Sequence, residues 1–189
     1  MKTLDVPIFV TGPSGSGKTR LVQRMTQDFA IEVFDARELI PDFALKFGNN
    51  DLEEKLRDLY DEVIDQLASS SASILEASND YPDQIFEKLA RTFFKDKKGL
   101  VVFVSAPEQI CIERQRRREN PTPEHRIIKQ CSYPFSYYKD KAEILGLQIL
   151  EISWLDDTET QYQAILSHLE QQNKENFARE TPDDIDNQF

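Results

Sequence analysis

One short segment near the amino terminus constrains the fold more than any other part of the sequence. Residues 12–19 have the sequence Gly-Pro-Ser-Gly-Ser-Gly-Lys-Thr and match G-x-x-x-x-G-K-[ST] at every fixed position. An apolar run, Val6 to Thr11, precedes the segment, and Lys18 to Asp28 follows it with apolar residues at helical spacing. A strand, a glycine-rich turn and a helix in this order turn several backbone N–H groups inwards, where they bind an anion. The sequence therefore predicts a phosphate-binding loop.

The loop predicts a nucleotide with a magnesium ion. Lys18 is expected to reach the outer phosphates, and the hydroxyl of Thr19 is expected to ligate Mg²⁺. Two dinucleotide-binding patterns fail at the same place, because one puts Arg20 and the other Ser16 where a glycine is needed. We expect every residue of the loop to line the nucleotide site: Gly12, Pro13, Ser14, Gly15, Ser16, Gly17, Lys18 and Thr19.

Strand and helix patterns alternate along the rest of the chain. Predicted strands lie at 6–11, 31–34, 71–75, 100–104 and 147–152. Predicted helices lie at 18–28, 36–47, 52–67, 82 to about 99, 107–118, 124–145 and 158–169. No tight hairpin signal joins two strands, so we predict an α/β fold with a parallel sheet and helices on both faces. Residues 1–172 are expected to form one domain, and the acidic segment 173–189 a disordered tail.

Charge and hydropathy restrict the partners. The 189 residues carry a formal net charge of −11, which disfavours a protein that binds nucleic acid mainly through its phosphates. No apolar run approaches the roughly 18 residues of a membrane span, and the first residues have no secretory pattern, so we expect a cytoplasmic protein without a membrane partner. Cys111 and Cys131 lie in no metal-binding pattern and are expected to be reduced thiols.

A basic segment stands out against this acidic background. Between Cys111 and Gln130 there are six Lys or Arg residues and three acids. On a helix, Arg114 and Arg118 lie on one face, where two guanidinium groups grip phosphates well. Prolines at 121 and 123 interrupt the helical pattern, so we predict a closing lid over about 114–140. The alternative is a solvated basic face paired with neighbouring glutamates.

The class of phosphate-loop protein is narrowed by what the sequence lacks. The chain has no D-x-x-G with a following N-K-x-D, as in GTPases, and no ABC-type signature. Its third predicted strand ends in Glu76 without an adjacent second acid, which argues against motor and AAA-type ATPases. A small metabolite or nucleoside kinase is the class that these exclusions leave.

Most of the segment 6–155 resembles the small P-loop kinase superfamily, which includes dephospho-coenzyme A kinase, the kinase half of polynucleotide kinase, and the gluconate and nucleoside-monophosphate kinases. Beyond the loop, the segment 100–120, LVVFVSAPEQICIERQRRREN, is similar to the strand and E-R-x-x-x-R helix that lead to the lid of those kinases. The resemblance implies ATP and Mg²⁺ as cofactors and the strand order 2-3-1-4-5. It also implies that Arg114 and Arg118 face the transferred phosphoryl group. The chain lacks the larger helical insertion of a dephospho-coenzyme A kinase.

Three further candidate site residues lie just after predicted strands. Ligands of parallel α/β sheets bind beyond the carboxyl ends of the strands. In the kinases that this chain resembles, an aspartate at the position of Asp35 accepts the proton of the acceptor hydroxyl, and we expect Arg37 to bind an anionic group of the acceptor. Asp35 has the alternative role of capping the helix that follows it. With the third strand beside the phosphate loop, Glu76 is expected to hold Mg²⁺ through water.

The sequence thus predicts an ATP- and Mg²⁺-dependent kinase that moves the γ-phosphoryl group to a hydroxyl, or to a phosphate, of a small molecule. No motif identifies the acceptor. One alternative is a regulatory protein that binds a nucleotide and phosphorylates nothing. Another is a polynucleotide-end kinase, against which the overall charge argues.

Overall fold

The computed structural model describes residues 4–39, 52–78, 82–95, 97–119 and 121–180. The strands in this part of the chain are β1 (Ile8–Thr11), β2 (Val33–Asp35), β3 (Ile74–Ala77), β4 (Leu100–Ser105) and β5 (Gln148–Ser153). The helices are α1 (Lys18–Asp28), α2 (Leu52–Ser69), α3 (Pro82–Phe94), α4 (Glu108–Gln115), α5 (Glu124–Cys131), α6 (Phe135–Ile144) and α7 (Thr158–Glu180). A 3₁₀ turn, Ala36–Leu39, follows β2 directly.

The strands form one sheet in the order β2-β3-β1-β4-β5, and every pair is parallel. This arrangement confirms the predicted α/β fold and the strand order 2-3-1-4-5. Because the strands are parallel, their carboxyl ends meet at one edge, where the phosphate loop leaves the central strand β1.

Two apolar layers cover the sheet. Ile8 and Val10 of β1 face a core that includes Leu21 and Met25 of α1 and Ile165 of α7. Phe9, which lies between them on the strand, belongs to the opposite layer. That layer includes Val63 and Leu67 of α2, Phe86 and Leu89 of α3, and Tyr138 of α6. Since successive side chains of a strand point to opposite faces, helices bury both sides of the sheet, as predicted.

The ends of several helices differ from the sequence prediction. The helix predicted over 124–145 is two helices, α5 and α6, because Pro134 cannot donate the backbone hydrogen bond that a continuous helix requires. Helix α3 ends at Phe94 rather than near Gly99, and helix α4 ends at Gln115 rather than Arg118. Helix α7 continues past the predicted end at Leu169 to Glu180, so the predicted domain limit at residue 172 lies inside it. The predicted helical stretch over 40–47 and the tail segment 181–189 lie outside the described residues.

Two smaller features complete the description of the fold. None of the helices in the described residues combines the length and the apolar character needed to cross a membrane. Helices α4 and α5 enclose a small core of their own, formed by Cys111, Ile112 and Ile127. This core joins the two helices beside the phosphate loop.

Candidate active site

The phosphate loop connects the carboxyl end of β1 to the first residue of α1. Gly12 and Gly15 have φ angles of +134° and +93°, which residues with a side chain rarely adopt. A Cβ atom on Gly12 would lie 2.4 Å from the carbonyl oxygen of Val104, and one on Gly15 would lie 2.6 Å from that of Cys111. The glycines are therefore required by both the backbone conformation and the close packing of β4 and α4 against the loop.

Lys18 lies inside the loop and is 4% exposed. Its Nζ donates hydrogen bonds of 2.9 Å to the carbonyl oxygens of Gly12 and Pro13. Burial lowers the pKa of Lys18 to about 8, and the nearby Glu76 carboxylate opposes this shift. A buried ammonium group held by two neutral carbonyls gains much from an added anion, which suits a phosphate ligand.

Thr19 and Glu76, the two predicted metal ligands, are in contact with each other. The hydroxyl of Thr19 donates a hydrogen bond of 2.7 Å to Oε1 of Glu76. The Glu76 side chain is 2% exposed, and burial raises its pKa against the opposing effect of Arg37 and Lys18. Magnesium is usually held by one or two oxygen-bearing side chains together with phosphate oxygens and water. A hydroxyl and a carboxylate in contact beside the phosphate loop therefore fit Mg²⁺.

Arg37 joins the two carboxylates at the ends of β2 and β3. Asp35 and Glu76 are register partners in the paired strands. Nε of Arg37 donates a 2.9 Å hydrogen bond to Oδ1 of Asp35, and its Nη2 lies 3.1 Å from Oε1 of Glu76. Asp35 also accepts a 3.0 Å hydrogen bond from the backbone N–H of Arg37, which is the cap geometry that sequence reasoning held as the alternative. The carboxylate of Asp35 thus caps the turn and binds Arg37 at the same time.

The two predicted arginines occupy different places. Nη1 of Arg114 donates hydrogen bonds of 3.1 Å and 3.2 Å to the carbonyl oxygens of Gly15 and Ser16. The guanidinium group of Arg114 also lies 5.5 Å from the centre of the Trp154 ring. Arg118 follows the end of α4 and borders the cleft beside the loop, where its charge helps to lower the pKa of Lys18.

Most of the predicted site residues border a single cleft at the carboxyl edge of the sheet. Its lining includes Gly17, Lys18, Thr19, Arg37, Ser78 and Arg118. Asp35 and Glu76 reach this cleft through their contacts with Arg37 and Thr19. Arg114 lies at its border on the loop carbonyls rather than in the lining. The arrangement places two carboxylates and several cations around a loop that is open to an anionic ligand.

The structure adds a residue that sequence reasoning missed. Gln130 of α5 is 3% exposed, and its Oε1 accepts a 2.7 Å hydrogen bond from the backbone N–H of Ser14 in the loop. A glutamine in a basic segment carries no recognisable motif, so only the packing of α5 beside the loop reveals this contact. Trp154, after β5, is brought to the site by its contact with Arg114.

The two cysteines are free thiols that lie together in the small core between α4 and α5. The side-chain hydrogen bond between the two thiols lowers the pKa of Cys111 and raises that of Cys131. The charges of Lys18 and Arg114 also lower the pKa of Cys111, because α4 lies directly behind the loop. The contact places both thiols close to the site without placing them in the cleft.

The chain is similar in sequence to known proteins. The sequence model of a family described as an AAA domain, AAA_18, matches residues 8–146. A cytidylate kinase from Desulfurococcus amylolyticus is 29% identical over 155 residues, which cover 81% of this chain and 82% of that protein. The argument from Glu76 against AAA-type proteins is therefore wrong as a statement about the family, although β3 ends without a pair of adjacent acids.

Solved structures share the fold at low sequence identity. A gluconokinase from Sinorhizobium meliloti 1021 superposes with a TM-score of 0.64 at 14% identity, covering 95% of this chain and 100% of that one. A shikimate kinase from Acinetobacter baumannii, in complex with shikimate, gives a TM-score of 0.61 at 21% identity, covering 89% of this chain and 95% of that one. The comparisons together confirm the predicted small P-loop kinase superfamily.

Proposed function

The chain belongs to the AAA_18 family of AAA domains, and from this premise we propose that it is a kinase that transfers the γ-phosphoryl group of ATP to a hydroxyl group of a small molecule, with Mg²⁺. The observation that carries the proposal is the chain of contacts Thr19–Glu76–Arg37–Asp35, which joins the phosphate loop to a carboxylate at the end of the neighbouring strand. A protein that only binds a nucleotide needs the loop but does not need this second carboxylate.

The loop residues would bind and orient the triphosphate. Backbone N–H groups from Gly15 to Thr19 and the ammonium group of Lys18 would hold the β- and γ-phosphates. Thr19 and, through water, Glu76 would hold Mg²⁺, which when bound neutralises charge on the phosphate oxygens. Lys18 would then exchange its two carbonyl contacts for phosphate oxygens, a stronger type of hydrogen bond.

Asp35 would orient the acceptor. Its carboxylate would accept a hydrogen bond from the acceptor hydroxyl, whose oxygen forms a bond to the γ-phosphorus as the bond from that phosphorus to the β–γ bridging oxygen breaks. The proton passes to Asp35 and ADP leaves. An ionised carboxylate has about four lone-pair sites, so its hydrogen bonds with Arg37 leave one for the acceptor hydroxyl. Arg37, which lines the cleft, would bind an anionic group of the acceptor.

Cations around the cleft would stabilise the charge that the transferred group carries. Arg118 borders the cleft and is the residue best placed for this role after Lys18. Arg114 would reach the phosphates by leaving the carbonyl oxygens of Gly15 and Ser16, to which it now donates. We propose that, within the predicted lid over 114–140, the side chain of Arg114 makes this exchange while α5 stays bound to the loop through Gln130.

A phosphate acceptor is the second candidate. The cytidylate kinase relative favours a nucleoside monophosphate such as cytidylate, because its identity extends over 81% of this chain. Arg37 would then bind the phosphate of the acceptor rather than a carboxylate or another anionic group.

The test is the release of ADP from Mg·ATP in the presence of single acceptors. Cytidylate and the other nucleoside monophosphates form one arm, and shikimate, gluconate and deoxynucleosides form the other. The proposal predicts that one arm stimulates ADP release in the wild-type protein and that Lys18→Ala abolishes the stimulation. Lys88→Ala, at an exposed lysine of α3, is the matched control and should retain it. Tight ATP binding without stimulation by either arm would contradict the proposal and favour a regulatory nucleotide-binding protein.

A further inference from the structure

The phosphate loop is held from outside by a neutral side chain of α5. Oε1 of Gln130 accepts a hydrogen bond of 2.7 Å from the backbone N–H of Ser14, and both residues are buried, at 3% and 8% exposure. The two residues are 116 positions apart in the chain. The contact therefore depends on the position of α5 beside the loop and not on the local conformation of the loop.

Neighbouring contacts hold the same part of the loop. Gly15 packs against the backbone of Cys111 in α4, and Arg114 of the same helix donates to the carbonyl oxygens of Gly15 and Ser16. Helix α5 is fixed to α4 in turn, because Ile127 is buried in the core that the two helices share. The backbone from Ser14 to Ser16 is thus positioned by α4 and α5, whereas Lys18 and Thr19 are positioned by α1.

The chemistry of Gln130 suits a loop that binds phosphate. Its amide oxygen satisfies a buried N–H group, which would otherwise carry a desolvation cost. A glutamate would satisfy the same N–H group but would bring a negative charge towards the triphosphate. A neutral acceptor fixes the loop without opposing an anionic ligand.

We propose that Gln130 is a positioning residue for nucleotide binding, which couples α5 to the phosphate loop through the N–H group of Ser14. This inference rests on the proposed function only in taking the loop as the nucleotide site. It requires that removal of the amide oxygen weakens nucleotide binding more than it slows the chemical step, because the bond shapes the loop and contacts no reacting atom.

The test compares two buried glutamines. Gln130→Leu removes the bond to the loop, and Gln161→Leu removes a bond from a 7% exposed glutamine of α7, whose Nε2 donates to the backbone carbonyl oxygen of Ser153 outside the cleft lining. We expect Gln130→Leu to raise the Kd for Mg·ADP about tenfold, with kcat at saturating ATP within about twofold of the wild type. If Gln161→Leu lowers the melting temperature by a similar amount, it should nevertheless raise the Kd less than about threefold. An unchanged Kd in Gln130→Leu, or equal increases in the two variants, would overturn the inference.

Amide exchange of Ser14 provides a readout independent of turnover. Ser14 should exchange slowly in the wild type and in Gln130→Glu, which keeps an acceptor, and rapidly in Gln130→Leu. If Gln130→Leu does not fold, Ser14 amide exchange in the wild type and in Gln130→Glu provides the test. Rapid exchange of the Ser14 amide in the wild type then overturns the inference. If the wild-type protein binds ADP but no acceptor stimulates its release of ADP from Mg·ATP, the proposed function alone is contradicted. If Gln130→Leu binds ADP as tightly as the wild type, this inference alone is contradicted.

Discussion

Substitution of Gly15 by alanine tests how tightly the phosphate loop is held against α4. The backbone of Gly15 has a φ of +93°, where an alanine is strained by about 1–3 kcal/mol. The added Cβ would lie 2.6 Å from the carbonyl oxygen of Cys111, and insertion of a methyl group into packed structure costs a further 1–3 kcal/mol or so. The smaller entropy of the unfolded alanine variant offsets about 0.4–1 kcal/mol. Gly15→Ala should therefore lower the free energy of unfolding by about 1–5.5 kcal/mol.

Gly146→Ala is the matched control. Gly146 has a φ of +67°, and a Cβ there would meet no atom within 4 Å. The left-handed conformation costs about 1–2 kcal/mol for a residue with a side chain, so after the same offset the control should lose only about 1 kcal/mol. The difference between the two variants isolates the contact of the loop with α4.

Urea unfolding at 25 °C measures both variants, and equal slopes allow their midpoints to be compared. The reasoning requires Gly15→Ala to lose at least about 1 kcal/mol more than Gly146→Ala, with a weaker affinity for Mg·ATP in the first variant only. Equal losses would refute the close packing of the loop against α4.

Two further predictions concern charge at the site. Burial lowers the pKa of Lys18 to about 8 from an ordinary 10.5, so between these pH values the unfolded chain retains a proton that the folded chain has released. The free energy of unfolding should therefore rise over this range relative to that of Lys18→Met, and a constant difference in urea titrations from pH 7 to 11 would contradict the shift. Trp154 is the single tryptophan of the chain, and Arg114 lies over it. Mg·ATP should change the fluorescence of the wild type and leave that of Arg114→Leu unchanged; equal changes in both would show that Arg114 does not move.

The sheet and the phosphate loop could be predicted because their signals are local. The glycines and Lys18 specify a strand, a loop and a helix at adjacent positions, and the alternation of strands with helices implies parallel pairing. Helix ends were less predictable. Pro134 divides the predicted helix over 124–145 into two helices. Helix α7 continues to Glu180 because the sequence has no strong helix-stop signal directly after Leu169.

Those candidate site residues that lie at the ends of strands could be predicted from the sequence. The positions of Asp35 and Glu76 follow from the strand ends, and strand pairing brings them together. Their bridging by Arg37 and the contact of Gln130 with Ser14 depend on side-chain packing between distant segments, which no local pattern encodes. Arg114 shows the same limit, because helical spacing places it on the correct face but does not reveal that it donates to the loop carbonyls. Its role and that of Arg118 in phosphoryl transfer stay predictions.

The most direct test of the proposed activity separates the rate of transfer from nucleotide binding in Asp35→Asn. Acceptor-stimulated ADP release should fall at least about 100-fold in kcat, since an amide cannot accept the hydroxyl proton, while the Kd for Mg·ATP should change less than about threefold. Asp61→Asn, at an exposed aspartate of α2, makes the same change of charge and should retain the wild-type rate. Equal losses of kcat and ATP affinity in Asp35→Asn, or no loss of either, would contradict a kinase in which Asp35 orients the acceptor.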